Sequence, residues 1–534
     1  MADQHGDLTL DQQIGQLFMV GFPGASVTDE IRALIVDQHV GGVVLFTRNI
    51  RDVRQTAELT DSLQQLAREA GHPAPLLISV DQENGIVRRL GPEATAFPGN
   101  MALGATGSAA LTREVAGATG QELLAHGINM NLAPSVDVNS TPANPVIGVR
   151  SFGERAEDVA RLGVAAVEGY RTAGVVSTLK HFPGHGDTAV DSHLDLPVLP
   201  YALQRLDEVE LLPFRAGIAA GAPCIMTAHV ALPALTAGER IPASVSGAVV
   251  GGLLRERLGF DGVVMTDCLE MQAISDTIGI APAAVMALAA GNDLVLISHL
   301  VERQLGGIEA VRQAVRTGTL EESRIAEAAA RVIQLKRRYL RWDAGTSAVV
   351  GSAAHRELAD RAYARSVTLV RDPGGLVPLN LAPQTRLVVL APAAQTVSQA
   401  VDLPFTLEPL VQRLRQYHPL VSGGSGGGSA HMSPGVTLEH LGLAPEDVPV
   451  LVTVNAYMES AQAGVIGRLA RSGAKVIGIV AGNPYDAALF PDESAVIATY
   501  EYSEPALVAA AEVLFGHVSP VGRLPVTVTV ADRR

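Results

Sequence analysis

Eight times within its first 340 residues the chain repeats one pattern. A short apolar, often β-branched run ends in a polar or charged residue, a loop follows, and then a stretch with helical periodicity. The runs are LFMVGF (17–22), GGVVLF (41–46), LLISVD (76–81), INMNLAPSVDV (128–138), VVSTLKH (175–181), CIMTAHV (224–230), GVVMTD (262–267) and DLVLIS (293–298). Between them lie segments such as EIRALIVDQ and AEDVARLGVAAVEGY, whose apolar residues recur at helical spacing. Near-continuous apolar strands alternating with helices make a parallel sheet covered on both faces. Eight such units fit an α/β chain whose first region is a closed (β/α)8 TIM barrel. The competing open, doubly wound sheet would place a GxGxxG turn after its first strand, and the sequence has none there. In a barrel the carboxyl ends of the strands line the active site. Here they carry Asp81, Asp137, Lys180, His181, His229 and Asp267, a polar ring that packing does not explain.

A helical stretch, RIAEAAARVIQLKRRYLRW, closes the barrel region at residue 342, and small residues mark 343–365 as a linker. Apolar runs resume at 367–372, 386–392, 449–455, 474–484 and 496–500, so 366–534 reads as a second domain, an α/β/α sandwich. Its end, SPVGRLPVTVTV, alternates like a final edge strand. SGGSGGGSAHMSP (422–434) resembles a flexible engineered linker or cloning scar, or else a natural disordered loop, and is expected to be mobile and without catalytic role.

A net charge of −15 argues against nucleic acid or an anionic membrane as partner, because neutralising phosphates needs clustered Lys and Arg. No apolar run reaches the roughly 20 residues of a membrane helix. The first residues lack the charged and apolar regions of a signal peptide, so the chain is expected in the cytoplasm unless an export signal has been removed. The two cysteines, Cys224 and Cys268, lie in apolar runs and read as buried thiols. Lysine is scarce, with only Lys180, Lys336 and Lys475 among 40 basic residues, so a lysine inside a motif stands out.

The densest chemistry lies in LKHFPGHGDTAVDSHLDLP (179–197), a glycine- and proline-broken loop after a buried strand. A metal bound by His181, His185 and His193 is one reading, but the spacing matches no zinc signature. Asp191-Ser192-His193 instead has the form of a carboxylate orienting an imidazole. A histidine titrating near neutrality can protonate a leaving group and then deprotonate water. Glycosidic cleavage pairs such an acid with a carboxylate across the scissile bond. Asp267, at the end of an apolar strand, is the best candidate for that nucleophile. It could also cap the helix expected from CLEMQAI, on which Glu270 would face solvent. The loop 182–195 is expected to be mobile and to close over substrate.

KHFPGHGDTxxDSH resembles the signature of glycoside hydrolase family 3 β-N-acetylglucosaminidases, and TDCLEM their nucleophile segment. DQENGIVRRL (81–90) with FPGNMALGA (97–105), and NPVIGVRSFG (144–153), resemble their substrate-binding segments, while AGNPYDAALFP and GRLPVT resemble the C-terminal domain of two-domain members. The resemblance implies a retaining exo-enzyme that removes terminal β-linked N-acetylglucosamine, with peptidoglycan (muropeptide) fragments as natural substrates and no metal or organic cofactor. It implies Asp267 as nucleophile, His193 as acid/base and Asp191 as its partner. Asp81, Arg89, Arg150, Lys180 and His181 would bind sugar hydroxyls. Asn84 departs from the family's usual glycine, and asparagine tolerates the positive φ that position would need. A phosphorylase on the same scaffold, a β-glucosidase of the same family and a non-catalytic sugar-binding protein are the alternatives.

Overall fold

A computed structural model describes residues 8–192, 195–342, 349–392, 405–423, 431–432, 444, 446–459, 463–467 and 475–529. Strands β1 (Phe18–Val20), β2 (Gly42–Leu45), β3 (Leu77–Val80), β4 (Met130–Asn131), β5 (Val176–Phe182), β6 (Cys224–Thr227), β7 (Val263–Cys268) and β8 (Leu294–Ile297) form a closed parallel barrel in sequence order. Each falls within one of the eight apolar runs, apart from the last residues of β5 and β7, which extend one position further. Closure is made by β1 on β8, with Phe18 opposite Val295 and Val20 opposite Ile297.

Alternate residues on each strand explain why the runs are apolar throughout. Met19, Val44, Leu77, Met226 and Met265 fill the barrel interior, while Phe18, Val20, Val43, Leu45 and Ile78 face the surrounding helices. The helices complete that second face. The helix Val53–Glu69 begins at Asp52, whose side chain accepts from the Gln55 amide, and buries Leu59, Leu63 and Leu66. The cap contributes about 1 kcal/mol, but each buried leucine contributes roughly 1.5–3 kcal/mol, so packing decides where the helix lies. The closing helix Glu322–Tyr339 inserts Val332 and Leu335 into the same cluster as the barrel interior.

A mixed sheet follows: β9 (Thr368–Arg371), β10 (Leu387–Pro392), β11 (Val421–Ser422), β12 (His431–Met432), β13 (Val448–Thr453), β14 (Ile477–Val480) and β15 (Ala495–Ala498). Their order is β11-β10-β13-β14-β15-β9, with β12 beside β10 and β9 the one antiparallel member. Leu410, Leu414, Leu507 and Leu514 from flanking helices share a core with one face, and Val465 and Ile466 pack with the other. The span 343–365, expected as a linker, carries most of a helix, Ala353–Ser366, tied to the barrel through His355 and Glu122 at 2.8 Å. Residues 343–348 and most of 422–434 lie outside the described residues; His431 and Met432 pair with Ala391 and Pro392.

The expected final edge strand does not form within 517–529. After Gly522 donates to the Val367 carbonyl, residues 523–527 bond to the barrel domain instead. Arg523 donates to the Ala105 carbonyl, Pro525 accepts from the Glu154 amide, and Thr527 donates to the Glu154 carboxylate. Pro520 and Pro525 remove two donors that a strand ladder would need. No helix among the described residues is long and apolar enough to cross a membrane.

Candidate active site

The carboxyl ends of the barrel strands open into a cavity of about 450 Å³. Pockets of this size hold small organic ligands. Its walls include Asp81, Arg89, Arg150, Lys180, His181 and Asp267, so six residues singled out in the sequence converge on one space.

Two buried cations occupy one wall. Lys180, in β5, donates to Asp81 at 2.6 Å and to Glu83 at 2.7 Å. Arg150 grips Glu83 with two bonds of 2.9 and 2.7 Å. Burial alone would push the Glu83 carboxyl up, but Arg150 and Lys180 outweigh it and hold the group far below the usual carboxylate range. Burial likewise opposes charge on Lys180 and Arg150, and their carboxylate neighbours raise both above their ordinary values. The result is a fixed charge array at neutral pH. Lining the cavity, such a pre-set array meets a ligand without reorganisation, as recognition of paired hydroxyls needs. Arg89 is held nearby, its own amide donating to the Gln82 side chain at 2.8 Å.

His181 is oriented from behind. Its Nδ1 lies 2.7 Å from Asp137, which also accepts from the His185 amide at 2.7 Å, while its Nε2 is 3.5 Å from Arg150. Burial would raise Asp137, but His181 and His185 lower it to about 2. Both ring nitrogens of His185 are engaged, Nδ1 with Thr188 at 2.8 Å and Nε2 with Ser192 at 2.9 Å. Burial, then the neighbouring His181, pulls His185 down to about 4, so it is neutral at pH 7. With both ring nitrogens taken, His185 serves as a hydrogen-bonding strut, while His181, oriented by Asp137, lines the cavity. Within the loop 182–195, His185 therefore ties Thr188 and Ser192 together, and the loop meets its surroundings through Asp137 and Asn144. Gly186 packs so tightly that a Cβ there would stand 1.8 Å from the Val138 carbonyl. Asp191 is half-buried beside Ser192; His193 lies outside the described residues.

Asp267 is the penultimate residue of β7, its carboxylate accepting from the Cys268 amide at 2.7 Å. The next helix starts only at Gln272 with Met271 at its cap position, so Asp267 is a strand-end residue and not a helix cap. His229 steadies the adjoining backbone by bonding the Cys268 carbonyl at 2.9 Å and Ser244 at 2.7 Å. Glu270, expected to face solvent, does the opposite. Because the helix begins late, Glu270 sits in the turn after β7 and accepts from the amides of Ser298, His299 and Leu300. Cys268 is also only half-buried, at the cavity wall, with its sulfur 3.0 Å from Ser298 and burial pushing the thiol up to about 12. Cys268, Glu270 and His299 offer ligand atoms within 4.8 Å of one another. Glu270 is already filled by three amides, however, and Arg303 and Arg48 face the cluster. It is a clasp joining the ends of β7 and β8.

Sequence reasoning did not assign Glu83 or give Asp137 a role. Both are buried acceptors for residues distant in the chain, Arg150 and Lys180 for Glu83 and His181 and His185 for Asp137, and neither has a local pattern. The signal was charge balance: a buried Lys180 and Arg150 each require an anion. Asn84 adopts φ 71°, the left-handed backbone expected where the resemblance has glycine.

Residues 9–335 match the glycosyl hydrolase family 3 N-terminal domain, which is more than half of the chain. The chain belongs to glycoside hydrolase family 3, and it is a hydrolase with a TIM barrel and a second, mixed-sheet domain. It is 34% identical to β-hexosaminidase A of Pseudoalteromonas piscicida, over 98% of this chain and 97% of that one. It is 32% identical to a β-N-acetylglucosaminidase/β-glucosidase of Cellulomonas fimi, over 71% and 67% of the two chains. The structure of a family 3 β-N-acetylglucosaminidase from Paenibacillus sp. str. FPU-7 superposes with a TM-score of 0.89 at 42% identity, covering 98% of this chain and all of that one.

Proposed function

We propose that this chain is a retaining exo-β-N-acetylglucosaminidase acting on terminal β-linked N-acetylglucosamine, with peptidoglycan fragments as its substrate class. The observation that carries the reading is the convergence of Asp267 with the Asp81–Lys180–Arg150–His181 array on one cavity. The array would bind the sugar's hydroxyls, with Arg89 beside it. Asp267 would attack the anomeric carbon, forming a glycosyl ester as the bond to the leaving oxygen breaks. His193, oriented by Asp191, would give that oxygen a proton, then take one from the water that cleaves the ester. The sugar leaves with its β configuration retained. The relatives named β-hexosaminidase and β-N-acetylglucosaminidase support the substrate class, and the Cellulomonas fimi enzyme's double name makes β-glucoside turnover the second reading.

The test compares turnover of nitrophenyl N-acetylglucosaminide and nitrophenyl glucoside, with and without phosphate. Preference for the first, with free N-acetylglucosamine released in phosphate, is expected. Preference for the glucoside would favour the second reading, and a sugar 1-phosphate product would make the enzyme a phosphorylase.

A further inference from the structure

The segment 139–154 separates the cavity from the second domain, and it is gripped on both sides. Toward the cavity it presents Arg150 to Glu83, and its Asn144 donates to the His185 carbonyl at 2.8 Å. Away from the cavity the second domain holds it at spaced points. Asn139 donates to the Tyr485 hydroxyl at 2.9 Å, and Tyr457 donates to the Pro142 carbonyl at 2.9 Å. Asn483 donates to the same Tyr457 hydroxyl at 3.2 Å, and its amide group lies flat against Gly148. Gly148 has φ 42°, and a Cβ there would stand 2.4 Å from the Asn483 oxygen. Only glycine allows this approach, two residues before Arg150 in the turn Gly148–Arg150.

A second contact from the second domain reaches the Arg150 turn. Glu501, buried in the second domain, accepts from the Gly99 amide at 3.0 Å. That amide opens the helix Asn100–Thr106, whose Asn100 donates to the Arg150 carbonyl at 2.7 Å. The Arg150 carbonyl is thus held by Asn100, next to the Gly99 amide that Glu501 anchors, while Asn483 packs on Gly148 two residues before Arg150.

We infer that the second domain is a backing for the sugar-binding wall, with Asn483 and Tyr457 as positioning residues that hold Arg150 in place. The inference rests on Arg150 being a sugar contact, as proposed above. A guanidinium must sit within a few tenths of an ångström of its acceptor geometry, and a loosened turn loses affinity without losing the fold.

The test is a double-mutant cycle in the full chain, read as the inhibition constant of N-acetylglucosamine together with kcat and KM. Arg150→Lys should raise the inhibition constant at least about tenfold. Asn483→Ala and Tyr457→Phe should each raise it about fivefold, with KM rising alongside. Combined with Arg150→Lys, either should add less than about 1.5-fold, because the contact it supports is already lost. Tyr457→Phe removes one hydroxyl and keeps the ring, so it reads the effect even if Asn483→Ala folds poorly. Unchanged constants in Tyr457→Phe, or effects that multiply with Arg150→Lys, would overturn the inference. If Arg150→Lys itself leaves sugar affinity unchanged, the reading beneath it fails as well.

Discussion

Lys180 and Lys336 are both fully buried, at opposite ends of one barrel. Lys180 stands at the carboxyl ends of the strands between Asp81 and Glu83, and those carboxylates hold it charged against its burial. Lys336 lies under the amino ends and donates to the neutral side-chain oxygen of Gln16 at 2.7 Å, and burial pulls it down to about 7. The same residue, equally buried, is a permanent cation at one end and a proton-labile filler at the other. Partner charge separates the two, and it also separates the working face of the barrel from the structural one.

The largest expected effect marks the working face. Asp267→Ala should lower kcat/KM on nitrophenyl N-acetylglucosaminide by at least about a thousandfold, because the glycosyl ester cannot form. Gln16→Ala, at the other end, should leave kcat/KM within about twofold; activity within tenfold of wild type in Asp267→Ala would mean the wrong carboxylate has been chosen.

Substituting the lysines themselves sharpens the contrast. Lys180→Met leaves Asp81 without its cation and Glu83 with Arg150 alone, so it should cost roughly 3 kcal/mol of stability and about a hundredfold in kcat/KM. Lys336→Met removes a charge that burial disfavours and should keep kcat/KM within about threefold, with equal or greater stability at pH 7. Denaturant midpoints and kinetics on the pair check this, and equal losses in both variants would erase the distinction.

The smallest effect is in the pH dependence of stability: at both ends stability rises with pH, but in different windows. Between about pH 7 and 10.5 unfolded chains carry a proton on Lys336 that the folded chain has released, so this group makes stability climb with pH across that window. At the upper end His185 is neutral in the fold down to about 4, against 6.5 for an ordinary histidine, so stability from this group falls as pH drops from 6.5 toward 4. Lys336→Met should flatten the alkaline slope and His185→Gln the acid one, measured by urea unfolding across pH.

The contrast between the lysines also explains what could be read in the sequence. The barrel was legible because each strand is apolar on both faces, and those runs do not depend on distant partners. Asp267, Lys180 and His181 were legible because strand ends are where a barrel puts chemistry. Glu83 was not, since its meaning comes from Arg150, 67 residues away. Glu270 was misread because a helix start was placed a few residues early, which turned an inward carboxylate outward. SPVGRLPVTVTV was read as a strand, yet its Arg523, Pro525 and Thr527 bond to Ala105 and Glu154 of the barrel domain, a choice that no local pattern records.

The central claim is that Asp267 forms a covalent bond to the sugar. Incubation with a 5-fluoro N-acetylglucosaminyl fluoride, which slows release of the ester, followed by peptide mass mapping, tests it directly. A sugar adduct on the peptide carrying Asp267, absent in Asp267→Ala, is the predicted result. An adduct on another carboxylate, or no adduct together with an α-configured product, would contradict it.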